Sequence, residues 1–218
     1  MISQGTKKEL RILYPEWITA LVLASTPIAF VLIGAGTWDN PSELHRLQPI
    51  SILALALGCV WLATAAFGKE NTFGTLESML SLPITRRQIW RKKCVTTATT
   101  IGSTIALFMC SVWLAQILTQ SNNGFLKPDE YALALIYILL CAIGPAFLFT
   151  TYQWRSHEAF WITTLTPFGF AIGVMMVTPA SLGGYRSEII AGILLVYGLV
   201  TLWFARSRML HWEASSHA

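Results

Sequence analysis

Charge is what this chain has least of. Only 12% of its residues are Asp, Glu, Lys or Arg, against about a quarter in an ordinary soluble domain. The scarcity is also positional. Every charged side chain and every histidine falls in a loop or at the end of an apolar run, with Glu16 and Glu188 the nearest to apolar sequence. Ion-coupled pumps keep an acid or a histidine at membrane depth to bind the proton or sodium, so this pattern speaks against a secondary transporter. Catalytic signatures are lacking too. No Gly-x-x-x-x-Gly-Lys-[Ser/Thr] phosphate loop occurs: Gly68-Lys69 has no glycine five residues before Gly68 and is followed by Glu70. Neither His-Glu-x-x-His nor Gly-x-Ser-x-Gly is present, and His45, His157, His211 and His217 stand at unrelated spacings. Cys59, Cys94, Cys110 and Cys141 include no Cys-x-x-Cys and read as small hydrophobes in or beside apolar runs. Asp39 and Glu43 share one loop and read as solvated rather than as an acid/base pair. No catalytic, cofactor-binding or metal-ligating residue is expected in this chain.

What is there is apolar sequence in long runs. Hydrophobic residues make up 54% of the chain and the mean hydropathy is +0.56. Six runs stand out: Trp17–Gly36, Pro49–Phe67, Val95–Leu118, Tyr131–Tyr152, Ala159–Val177 and Ile189–Phe204. A helix needs roughly 20 residues to cross the hydrocarbon core, and these runs are about that long. Lipid cannot satisfy an open sheet edge, so the expected fold is all-α, one membrane domain over residues 1–218 with six spans. Tyr185 and Trp203 are placed to anchor the last span at the two interfaces.

The basic residues orient these spans. Twelve of the fifteen Lys and Arg lie in the amino end (Lys7, Lys8, Arg11), the stretch Lys69–Lys93, the turn at Arg155 and the tail (Arg206, Arg208). Only Arg46, Lys127 and Arg186 lie in the alternate loops. Basic loops stay in the cytoplasm, so a multi-pass protein of the cell membrane with both termini cytoplasmic is expected. The net charge of +4 then serves retention and attraction to anionic lipid, and implies no nucleic-acid partner. The run Trp17–Gly36 is too long for the apolar core of a signal peptide. Before it, Thr6-Lys-Lys-Glu9 fits a capping box, with Leu10, Leu13, Tyr14 and Trp17 following at helical spacing. A short interfacial helix over residues 6–14, interrupted at Pro15, is expected to turn into the first span.

Lys69–Lys93 is the long polar stretch between two spans, and six of the fifteen basic residues sit in it. It reads as two short helices hinged at Pro83. Phe73, Leu76, Met79 and Leu80 form an apolar stripe on the first, with Lys69, Glu70, Glu77, Ser78 and Ser81 polar. Pro83 disfavours helix at Leu82. Thr85-Arg-Arg-Gln88 is a second capping box, with Ile84 and Ile89 at the staple positions, so the next helix is expected to start at Thr85. Arg86, Arg87 and Arg91 oppose that helix's dipole, which requires lipid phosphate, topology or a partner to favour them.

Glu70-x-x-x-Gly74-Thr75-Leu76-Glu77, followed by Leu80-Ser-Leu82-Pro83-Ile-Thr-Arg86, resembles the cytoplasmic loop of ATP-binding-cassette permeases of the type-2 exporter class. Its place between the second and third spans, the amino-terminal helix and the six-span count match the same class. The resemblance implies that 69–93 is a cytoplasmic coupling stretch. Glu70, Gly74, Thr75, Leu76, Glu77, Leu82, Pro83, Arg86 and Arg87 would then dock on a cassette ATPase. It further implies that the ATPase is a separate chain binding ATP and Mg, that a second permease copy or paralogue completes the path, and that the substrate is exported. Asn71-Thr72-Phe73 departs from the more acidic pattern of the class. Two other readings stand beside this one: a haem-exporter-like permease of cytochrome c maturation, and a non-transporting scaffold recruiting a cytoplasmic partner. The hydroxyls of Thr96, Thr97, Thr99, Thr100, Ser103 and Thr104 either line a polar path or, the favoured reading, bond helix backbone. Gly144-Pro145 reads as a kink in the fourth span, a hinge or a packing feature.

Overall fold

The computed structural model describes residues 4–34, 42–73, 85–119, 143–152, 155, 157–166 and 186–210. These residues are helical apart from short turns and ends, and no strand occurs among them. The helices are α1 (Gln4–Ala24), α2 (Thr26–Gly34), α3 (Ser42–Phe73), α4 (Arg86–Thr119), α5 (143–151), α6 (157–166) and α7 (Arg186–Leu210). Ile50–Glu70, Arg86–Leu118 and Gly192–Leu210 are each long and apolar enough to cross a bilayer. The bent pair Leu10–Ala24 and Thr26–Ile33 makes a fourth if taken as one span. The expected spans at 131–152 and 159–177 lie largely outside the described residues, which show helix at 143–151 and 157–166.

The amino end differs from the expectation at two places. Residues 6–14 are not a separate helix: α1 runs unbroken through Pro15. A proline inside a helix removes an amide donor and crowds the carbonyls one turn earlier. The carbonyl that Pro15 deprives of its helical donor is that of Arg11, and Lys69 of α3 donates to the neighbouring Ile12 carbonyl at 2.9 Å. The break comes instead at Ser25, where the axis bends by 46°. Pro27 is its cause. Without an amide on Pro27, the Leu23 carbonyl loses its helical donor, and the Thr26 hydroxyl donates to it instead at 2.8 Å. Ser111 of α4 donates to the Ala24 carbonyl at 3.0 Å, capping the end of α1 from across the bundle.

The stretch expected as two short helices is organised differently at its ends. Lys69 and Glu70 are not on a separate flat helix but in the last turns of α3, which continues to Phe73. The start of the next helix is as expected: Gln88 and Ile89 donate to the Thr85 carbonyl at 2.8 and 3.2 Å, and α4 begins at Arg86. At 34 residues, α4 is about 50 Å long, more than the hydrocarbon core requires.

Small residues bring the helices together. A Cβ added at Gly58 of α3 would lie 3.2 Å from the Ala20 Cα of α1. One at Gly144 of α5 would overlap the Gly198 carbonyl of α7. Gly144 thus marks a close helix–helix approach, as expected where packing rather than hydrophobic force joins helices in lipid. Ala20, Leu55, Cys59, Leu62, Ile101, Phe108 and Ala146 form one core. A second, nearer the start of α4, joins Leu13, Phe67, Ile89, Trp90, Phe147 and Met209. Trp113, Trp203, Val22 and Leu32 point outward, where lipid rather than water would cover them.

Candidate functional site

Two ion pairs, both made from one turn of α3, bring charged side chains into this apolar bundle. Lys69 and Glu70 are neighbours on α3, so their side chains leave the helix about 100° apart and reach different partners. Lys69 Nζ pairs with the Glu16 carboxylate of α1 at 2.6 Å. Glu70 Oε1 pairs with Lys93 Nζ of α4 at 2.9 Å, with only 1% and 3% of the Lys93 and Glu70 side chains exposed. Lys93 also donates to the Ala66 carbonyl at 2.6 Å and lies 4.9 Å from the centre of the Phe67 ring. An ammonium and a carboxylate taken out of water persist only when closely paired, and here the ammonium both pairs with the Glu70 carboxylate and donates to a carbonyl. One α3 turn therefore ties α1 on one side and α4 on the other.

Aromatic rings complete the junction. Phe67 stacks on Trp90 with centroids 5.8 Å apart, and Phe147 of α5 meets both edge-on at 5.1 and 5.4 Å. Arg208 of α7 lies over the Tyr152 ring at 5.3 Å. Five helices, α1, α3, α4, α5 and α7, thus converge where α3 leaves for, and α4 returns from, the segment expected to couple.

Of the residues expected to dock an ATPase, the structure describes Glu70, Arg86 and Arg87. Glu70 faces the chain's own interior and Lys93. Arg86 is half-buried and Arg87 exposed at the first turn of α4. Gly74, Thr75, Leu76, Glu77, Leu82 and Pro83 lie outside the described residues. The residues that sequence reasoning missed are Glu16, Trp90 and Lys93 as partners across helices. A signal for Lys93 was present: Ile89, Lys93, Thr97, Thr100 and Thr104 recur at helical spacing and are all buried. Four of the α4 hydroxyls bond helix backbone, the reading favoured from sequence: Thr99 to Val95, Thr100 to Thr97, and Ser103 and Thr104 to Thr100; the buried Thr97 hydroxyl does not, having no hydrogen-bond partner among the described residues. Among the described residues no group of His, Cys, Asp and Glu has a metal-binding arrangement, and Cys59, Cys94 and Cys110 are free thiols.

Helices, clamps and apolar surface describe many membrane proteins. A family model described as ABC-2 family transporter protein, however, matches residues 6–205. The chain belongs to the ABC-2 transporter family. As an ABC-2 permease it is a membrane transport component and not itself the ATPase. The match runs from the first turn of α1 into α7 and contains both ion pairs. Comparison with curated proteins and with solved structures finds no match.

Proposed function

We propose that this ABC-2 permease is the membrane subunit of an exporter of the cytoplasmic membrane, driven by ATP and Mg bound on a separate cassette ATPase. Two permease chains, identical or paralogous, would form the path. The ATPase would dock on Gly74–Arg87, with Gly74, Thr75, Leu76, Glu77, Leu82, Pro83, Arg86 and Arg87 as the contact stretch. The observation that supports this most is the pair of clamps at its base. Glu70–Lys93 joins the helix entering the stretch to the helix leaving it, and Lys69–Glu16 joins α1 to the entering helix. A displacement imposed on 74–84 would be delivered to three helices rather than absorbed by one hinge, because closely packed elements move as bodies. Glu70 then acts as a positioning residue behind the docking surface. Family membership favours this reading over a membrane scaffold.

The test is co-purification with the cognate ATPase. Glu77→Lys reverses a charge while keeping a good helix former, and an unpaired or like charge in an interface costs several kcal/mol. The variant should reach the membrane at normal levels and lose ATPase binding and stimulated hydrolysis, whereas Glu213→Lys in the tail should be silent. Full binding in both variants removes Glu77 from the interface; hydrolysis by the isolated, homogeneous chain would refute the separate-ATPase reading.

A further inference from the structure

Beside the clamps, a cleft of about 600 Å³ opens between α1 and α4. Leu10, Arg11, Tyr14 and Trp17 line it from α1, and Thr99, Thr100 and Ser103 from α4. The Trp17 indole N–H donates to the Ser103 hydroxyl at 2.9 Å and closes the cleft at its inner end. The α4 hydroxyls do not make it polar. Thr99 and Ser103 donate to their own helix at Val95 and Thr100, both at 2.7 Å, which leaves carbon facing the cleft. Among the described residues the cleft is thus an apolar slot with one charged residue, the exposed Arg11, and the phenol of Tyr14, 56% exposed, beside it. Among the described residues no carboxylate lines it, and the nearby Glu16 is held by Lys69.

Its depth is set by the charges on the two helices. Arg11 is the last basic residue of α1 and Lys93 the last of α4's amino-terminal half. Trp17 lies about 9 Å beyond Arg11, and Ser103 about 15 Å beyond Lys93, along their helices. A basic residue followed by Tyr and Trp is the pattern of a headgroup boundary. We propose that this cleft holds one anionic phospholipid of the cytoplasmic leaflet, its phosphate against Arg11 and Tyr14 and an acyl chain along the α1–α4 slot. Charge complementarity selects the headgroup: an arginine fork with a phenol suits a phosphate that carries net negative charge. The apolar walls select a lipid over free phosphate, and the volume falls within the roughly 300–1,000 Å³ of small-molecule sites.

The assignment to the cytoplasmic leaflet rests on the topology proposed above; binding itself does not, and it is read without the ATPase. The full chain, purified in detergent, is given equal amounts of phosphatidylglycerol and phosphatidylcholine of the same chain length, and retained lipid is counted by native mass spectrometry. One phosphatidylglycerol should be retained in preference. Arg11→Gln should lower that preference about tenfold, the scale of a hydrogen bond to a charged group, while Arg155→Gln in an exposed turn should leave it unchanged. A photo-crosslinking residue at position 99 should attach to phospholipid. Equal retention of the two lipids, equal behaviour of the two arginine variants, or attachment to a second copy or to another segment of the chain each overturns the proposal.

Discussion

Lys93→Met removes the cation from the most buried ion pair of the bundle while keeping an unbranched chain of similar length. Glu70 would then hold its carboxylate at a position where only 3% of the side chain is exposed. Breaking a buried pair from one side costs about 3–5 kcal/mol. The interaction with the Phe67 ring, 4.9 Å away, is lost as well and contributes about 0.5–2 kcal/mol of the kind measured for such contacts. The Ala66 carbonyl loses only a second donor, since helical carbonyls already accept from the backbone. For a chain of this size each kcal/mol moves the melting temperature by about 2–4 °C, so the variant should melt about 7–28 °C lower. Thermal unfolding in detergent, followed by tryptophan fluorescence, measures this, because Trp90 sits in the ring cluster beside the pair. Lys92→Met, one residue earlier and exposed, is the control and should shift the midpoint by no more than about 2 °C. Adding Glu70→Gln to Lys93→Met should recover more than half of the loss, since a neutral amide needs no counter-charge. If Lys93→Met and Lys92→Met melt together, or the double variant melts no higher than Lys93→Met, the pair does not hold the helix ends and the clamp argument fails.

Two further outcomes follow from packing and charge. Gly144→Ala should destabilise the protein by about 1–3 kcal/mol because its Cβ meets the Gly198 backbone, whereas Gly102→Ala, with nothing within 4 Å of the new atom, should be neutral or gain up to about 1 kcal/mol from helix propensity; thermal unfolding of the two side by side checks the contrast. In a background with the four native cysteines replaced, cysteines at Asn123 and Gly184 should react with an impermeant thiol reagent from outside intact cells and those at Ser78 and Ser156 only after permeabilisation; labelling of position 78 in sealed cells would invert the topology.

The sequence carried the local properties of this protein well. Apolar runs of about 20 residues are read directly as helices, because in lipid each backbone group must be bonded within its own segment. The start of α4 at Thr85 followed from its capping residues, which act over one turn, and the transporter family was already visible in Gly74-Thr75-Leu76-Glu77 and its neighbours. Proline was harder to read. Pro15 and Pro27 each remove one helical amide, yet α1 runs unbroken through Pro15, whereas the helix breaks with a 46° bend just before Pro27. Glu70 was read as a surface contact because a charge in a polar stretch looks solvated until the opposite charge is placed. Composition determines that these helices enter a membrane and which end is basic, since transfer of apolar and charged groups depends on the groups alone. Which charges become internal clamps was decided only in the tertiary structure, where crossing helices bring Lys69 to Glu16, 53 residues away in sequence, and Glu70 to Lys93. Ion pairing falls steeply with distance and rises with burial, and neither quantity exists until the helices have packed.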